Sequence, residues 1–164
     1  MSEEGLEYDR IVQDGPKKAD MATNTDDKSI RQAYEDVRLD SSDTEWAVFK
    51  HENSIVVCTA KGSNFDEFKE QFGDDDRAFG YIRIQMGDEI SKRTKFLFLT
   101  WVGKNVGVIK KAKMSTDKAL IKAVISNFAV ELHLESINEI DMQNFKEQLA
   151  KAGGANYGTG IRED

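Results

Sequence analysis

The sequence predicts a mixed α/β (α+β) fold, a single domain in which a central mixed β-sheet is sandwiched between helices. Helical apolar spacing alternates along the chain with pairs of β-rich runs, which is the pattern of a sheet covered by helices. A length of 164 residues suits one domain. A hydrophobic content of 39%, with 9% aromatic residues, is enough for one core.

The elements follow in order. Ile30, Ala33, Tyr34 and Val37 stand at i, i+3, i+4 and i+7, one face of a helix that Thr25 or Asp26 caps. Glu45 to Lys50 is apolar on both sides, as in a strand covered on both faces. His51-Glu-Asn-Ser54 turns it back into Ile55–Thr59. Ser63-x-x-Asp66 reads as a capping box for a short helix lined by Phe65, Phe68 and Phe72, with Gly73 as its stop. Phe79–Gln85 and Lys95–Val102 make a second hairpin around a long loop, Met86 to Thr94.

After Gly103 a long helix is expected from Asn105 to about Phe128. Val106, Ile109, Ala112, Leu120, Val124 and Phe128 would face inward, with a bend at Ser115-Thr116-Asp117. Val130, Leu132 and Leu134 alternate as a strand. A last helix from about Asn138, opened by Ser136-x-x-Glu139, turns Met142, Phe145 and Leu149 inward.

Both ends read differently. Met1 to Asp20 hold six acids, three bases and the only proline, without amphipathic period. They are expected to be an acidic disordered extension, native or left from expression. Residues 153–164 are expected to be a flexible tail, since Gly153 to Gly160 lacks apolar period. A phosphate loop is excluded there, because no Gly-Lys-Ser/Thr follows and no strand precedes.

Charge is a further signal, with a docking surface and a solvated helix face plus a basic turn as its two readings. Between Lys92 and Lys122 the chain has nine bases against one acid, Asp117, a local +8 in a chain of net −7. A block of one sign within a chain of the other suits docking to an acidic partner, because it steers encounter and fixes register.

Three separated strings then resemble one family. They are Gly87-Asp-Glu-Ile-Ser-Lys-Arg-Thr-Lys-Phe96, Leu99-Thr-Trp-Val-Gly103 and Ala112-Lys-Met-Ser-Thr-Asp-Lys118. Together, and in this order, they resemble the actin-depolymerising-factor homology family. Met21-Ala-Thr, Arg31-Gln-Ala-Tyr34 and Ala150-Lys-Ala-Gly-Gly-Ala-Asn-Tyr157 extend the likeness from Met21 to Tyr157. The resemblance implies a homology domain over residues 21–152. It further implies a cytoplasmic, non-enzymatic protein of the actin cytoskeleton, monomeric and without cofactor, that binds the side of filaments without depolymerising them. The serine that depolymerising members carry just after the initiator methionine is missing from Met21-Ala-Thr-Asn-Thr25.

The resemblance also assigns residues. Lys95 is the first choice for a filament contact, on the face opposite Phe96 and Phe98, with Lys92 and Arg93 as steering charges. Lys110, Lys111, Lys113, Met114 and Lys118 match the helix that depolymerising factors insert into the cleft of actin. Met114 would be either an exposed adaptable contact or a core residue. Lys151 is a third site or a charge favourable to a helix C-terminus. Two other partners fit the basic stretch: actin monomers through the long helix, and an anionic phosphoinositide.

Other classes fare worse. His51, expected in a turn, and His133, on a strand face opposite Leu132 and Leu134, have no partner at metal-ligand spacing. Asp74-Asp-Asp76 lacks the fixed positions of a calcium loop and reads as a solvated turn. The acidity of the remaining chain repels nucleic acid. No apolar run reaches the roughly 20 residues that span a bilayer, and no leader opens the chain. The single Cys58, in an apolar run, reads as core and cannot form an internal disulfide.

Overall fold

The structure, a computed structural model, describes residues 23–87 and 90–160. The acidic extension and residues 161–164 of the expected tail lie outside the described residues. In chain order the elements are β1 (Asn24–Thr25), α1 (Asp27–Arg38), β2 (Trp46–Glu52), β3 (Ile55–Gly62) and α2 (Phe65–Lys69). Then come β4 (Arg77–Met86), β5 (Arg93–Val102), α3 (Val108–Lys122), β6 (Val130–Leu134), a 3₁₀ turn (Ile137–Glu139) and α4 (Met142–Gly160).

One six-stranded sheet runs β1-β3-β2-β4-β5-β6. Its inner pairs are antiparallel, and its two outermost strands join in parallel. Both faces are covered. Phe49, Phe79, Tyr81 and Phe98 meet Ile30, Tyr34 and Val37 of α1 and Ile121 of α3 on one side. Val48, Ile82, Leu97, Leu99 and Trp101 meet Phe68 of α2 and Phe145 and Leu149 of α4 on the other. This is the sandwiched mixed sheet that the alternating pattern predicts.

Local chemistry sets the boundaries. Asp26 caps α1 by accepting from the Ser29 N–H. Asn53 turns β2 into β3 at φ 60°, a conformation asparagine tolerates better than most residues. The α2 cap is Asn64, which accepts from the Glu67 N–H, and not Ser63 as the spacing suggests. Ser136 and Glu139 do form a capping box, but it opens the 3₁₀ turn and not α4. α4 starts only at Met142, where Asp141 accepts from the Asn144 N–H at 3.0 Å.

α4 continues to Gly160, through glycines read from sequence as a loose tail. Each glycine costs about 1 kcal/mol against alanine, too little to stop a helix already nucleated by packed turns. The hairpin strands β4 and β5 also outrun their apolar cores, with Gln85 donating across to Thr94 at 2.9 Å. The loop between them shortens accordingly.

α3 departs most from expectation. It starts at Val108 and stops at Lys122, and it runs unbroken through Ser115, Thr116 and Asp117. Its buried face is Met114, Asp117 and Ile121, while Ile109 and Leu120, expected inside, are exposed. A buried aspartate is invisible to an apolar pattern, so the helix phase is misread. Val124 and Ile125 follow the helix into the core from irregular backbone.

The lead into α3 is tied to the turn before β4. Gly103 N–H donates to the Asp76 carbonyl and Asn105 N–H to that of Asp74, both at 2.8 Å. A Cβ on Gly103 would lie 2.3 Å from the Asp74 carbonyl oxygen, so only glycine fits. Gly103→Ala is expected to cost about 1–3 kcal/mol, by strain in a packed site. Urea denaturation checks it; an unchanged midpoint would show that this turn yields freely.

Candidate functional site

The β4–β5 hairpin carries the predicted filament contacts. Its register pairs Met86 with Arg93, Gln85 with Thr94 and Ile84 with Lys95. At the tip Gly87 adopts φ +92°, and a Cβ there would strike the Ser91 carbonyl oxygen. Lys92 and Arg93 are exposed and Lys95 is half-buried. None of the three makes an ion pair with another described residue.

Lys95 does lie opposite Phe96 and Phe98. However, its face is the one bearing Leu97 and Leu99, which α2 and α4 cover. Alternation therefore does not by itself send Lys95 to solvent. Its place at the outer end of the strand, beyond the last core pair, leaves it at the rim.

The other cations of the +8 stretch are dispersed and largely engaged. Lys118 Nζ and Lys122 Nζ both hold Glu131, at 2.9 and 2.7 Å. Burial pushes the Glu131 carboxyl up, but hydrogen bonds from Lys122 and Lys118 outweigh it and leave its pKa below the ordinary value. Lys104 lies 3.5 Å from Asp74, and Lys111 lies 3.9 Å from Glu135. Lys110 is exposed and forms no ion pair with a described residue, Lys113 is half-buried, and Lys151 stands exposed on α4. Contiguity in sequence thus does not become one surface.

Met114 is 2% exposed and sits in the core between α3 and the sheet. The exposed contact expected of it is corrected accordingly; helical phase turns it inward. The apolar residues that α3 does present are Val108 and Ile109, 83% and 67% exposed, in its first turn. Sequence reasoning missed them because it counted Ile109 toward the buried face. Adjacency to Lys110 and Lys111, in a helix preceded by Gly107, was the signal available.

Beneath α3 lies a buried polar cluster. His51 belongs to β2 rather than a turn, and its Nε2 is 2.9 Å from Asp117 Oδ2. Arg77 Nη1 approaches the same oxygen at 3.8 Å. Asp117 is 1% exposed. Burial lowers the His51 pKa, despite the opposing hydrogen bond that the ring makes to Asp117. Asp117 is buried while the Arg77 side chain keeps 15% exposure, and the cluster ties α3 to the sheet, so it is a positioning device.

His133, by contrast, is an exposed strand residue 3.4 Å from Glu135. Cys58 is half-buried against the core, and burial raises its pKa, which opposes thiolate reactivity. Asp74, Asp75 and Asp76 are each engaged, by Lys104, Asn105 and the Gly73 N–H respectively. No helix among the described residues is long and apolar enough to cross a membrane.

The site therefore has two parts. The hairpin tip lies at one end of the sheet; the exposed start of α3 lies at the other, beyond the Arg77–Val102 pair. Ten-residue strands separate the two by roughly 30 Å. A mixed six-stranded sheet between helices is the fold that the resemblance to the actin-depolymerising-factor homology family implies.

The chain belongs to the cofilin/tropomyosin-type actin-binding family, whose sequence model matches residues 22–150. It is similar to coactosins: it is 43% identical to the coactosin-like protein of Bos taurus over 137 residues, 84% of this chain and 96% of that one. A crystal structure of human coactosin-like protein superposes with a TM-score of 0.77 at 39% identity, covering 79% of this chain and 99% of that one. The solution structure of mouse coactosin, described as an actin filament binding protein, gives 0.70 at 38% identity, covering 83% and 96%. Family membership makes this an actin-binding protein.

Proposed function

We propose that the protein binds the side of actin filaments through its basic hairpin and the start of α3, and regulates filament dynamics without depolymerising them. The observation that carries this reading is the distribution of unneutralised charge. Lys118 and Lys122 are held by Glu131, whereas Lys92, Arg93 and Lys95 stand together on the tip with no carboxylate among the described residues. A net-acidic chain facing an acidic partner needs such a local surface. Val108 and Ile109 add an apolar contact at the other end. The relative titled an actin filament binding protein supports the filament over the monomer. The protein acts by occupying sites, as a monomer in the cytoplasm, without cofactor or catalysis.

Sedimentation with preassembled filaments tests this. Wild-type chain is expected to pellet with filaments, less so as salt rises, because exposed charges are screened. Lys95→Ala is expected to cost about 1–3 kcal/mol, the range of a central contact. Unchanged pelleting of Lys95→Ala would remove the hairpin from the site. The basic charges of the same tip, with no carboxylate partner among the described residues, also favour a second reading, an anionic phosphoinositide. Salt-sensitive binding to phosphoinositide vesicles, with no filament pelleting by the folded chain, would select it.

A further inference from the structure

The chain carries an acidic segment of its own, and it precedes β1, which lies at the end of the sheet where α3 starts. Thr23 leads into β1, where the Asn24 N–H donates to the Ser54 carbonyl at 2.8 Å. β1 lies beside Ile55 and Val56, at the end of the sheet where β2 finishes. The register of β2 with β4, and of β4 with β5, puts Arg77, Val102 and the lead into α3 at that same end. α1 begins there too, and α1 and α3 cover one face.

Thr23 therefore lies at the same end of the sheet as Val108, Ile109, Lys110 and Lys111. From β1 to β5 is four strand spacings, roughly 19 Å. The ten residues from Gln13 to Ala22 reach at most about 33–36 Å. The span is well within reach.

Glu3 to Val12 match this surface in two respects. Four acids (Glu3, Glu4, Glu7, Asp9) stand against one base, Arg10. Four apolar residues (Leu6, Tyr8, Ile11, Val12) are interspersed with them. On α3 the apolar pair Val108 and Ile109 is exposed beside Lys110, which has no ion pair among the described residues, and Lys111, whose carboxylate is 3.9 Å away.

We propose that Glu3–Val12 docks on the start of α3 and competes there with actin, a regulation that rests on this surface being a filament contact. Tethering gives the segment a high effective concentration, so a weak contact suffices. Apparent affinity falls by the fraction of time the surface stays open. Occupancy of about nine-tenths would weaken filament binding about tenfold.

Two measurements test it on the full chain and on a variant with Glu3→Gln, Glu4→Gln, Glu7→Gln and Asp9→Asn. First, backbone amide spectra without actin are compared. Outside the substituted segment, shifts confined to Val108–Lys111 and absent at high salt are expected; no shift on α3 would overturn the contact. Shifts in this region that depend on protein concentration would instead put a second copy there, also against the proposal. Second, filament affinity is compared at low salt. The variant is expected to bind about fivefold more tightly or better, given the open fraction above, and equal affinity would overturn the competition. If the spectra differ as expected but neither chain pellets with filaments, the filament reading fails while the contact stands.

Discussion

Asp117→Ala is expected to lose about 3–5 kcal/mol of stability, the range for breaking a buried ion pair by removing one partner. The carboxylate is 1% exposed, holds His51 Nε2 at 2.9 Å and faces Arg77 at 3.8 Å. Its removal strands the Arg77 guanidinium in a site whose Nη1 already has no hydrogen bond. Urea denaturation measures the loss, and adding Arg77→Met to Asp117→Ala should recover part of it. A single-variant loss below about 1 kcal/mol would mean that water replaces the carboxylate.

The same cluster sets a pH dependence. Burial holds the folded His51 pKa below that of the unfolded chain, so the unfolded state binds more protons in between. Stability is then lost as pH falls from about 6.5 toward the folded value. That slope should shrink in His51→Gln.

Val108→Asp combined with Ile109→Asp is expected to weaken filament binding about 100-fold, roughly 2.7 kcal/mol, while the fold stays intact. Both side chains are mostly in solvent, so folding loses little apolar burial. New carboxylates in a first helical turn favour the macrodipole. In the complex they would be desolvated against an acidic partner, where the penalty is large. Sedimentation alongside a melting curve separates the two effects. Full binding by a folded double variant would exclude the start of α3 from the interface.

Much of the fold was legible because its signals are periodic. Ile30, Ala33, Tyr34 and Val37 mark α1 by spacing alone, and Trp46 to Phe49 announce a strand buried on both sides. β1 was not legible, since two polar residues carry no pattern. The α3 phase failed at Asp117, whose burial depends on His51 and Arg77 from distant strands. For the candidate site, linear charge pointed to the hairpin and α3 but could not show that Glu131 neutralises Lys118 and Lys122. Nor could it show that Val108 and Ile109 face water. Both follow from which elements become neighbours in space.

The order of the strands also bears on how the molecule assembles. β3-β2 and β4-β5 are hairpins between sequence neighbours, whereas β1 and β6 join their partners only after α1 and α3 have been laid across the sheet. Closing those longer loops costs entropy before any contact repays it. The two central hairpins are therefore the natural nucleus, and α3 with β6 arrives late. The start of α3, one half of the surface proposed to meet actin, would then belong to the part of the molecule that opens most readily, while the hairpin carrying the other half stays folded.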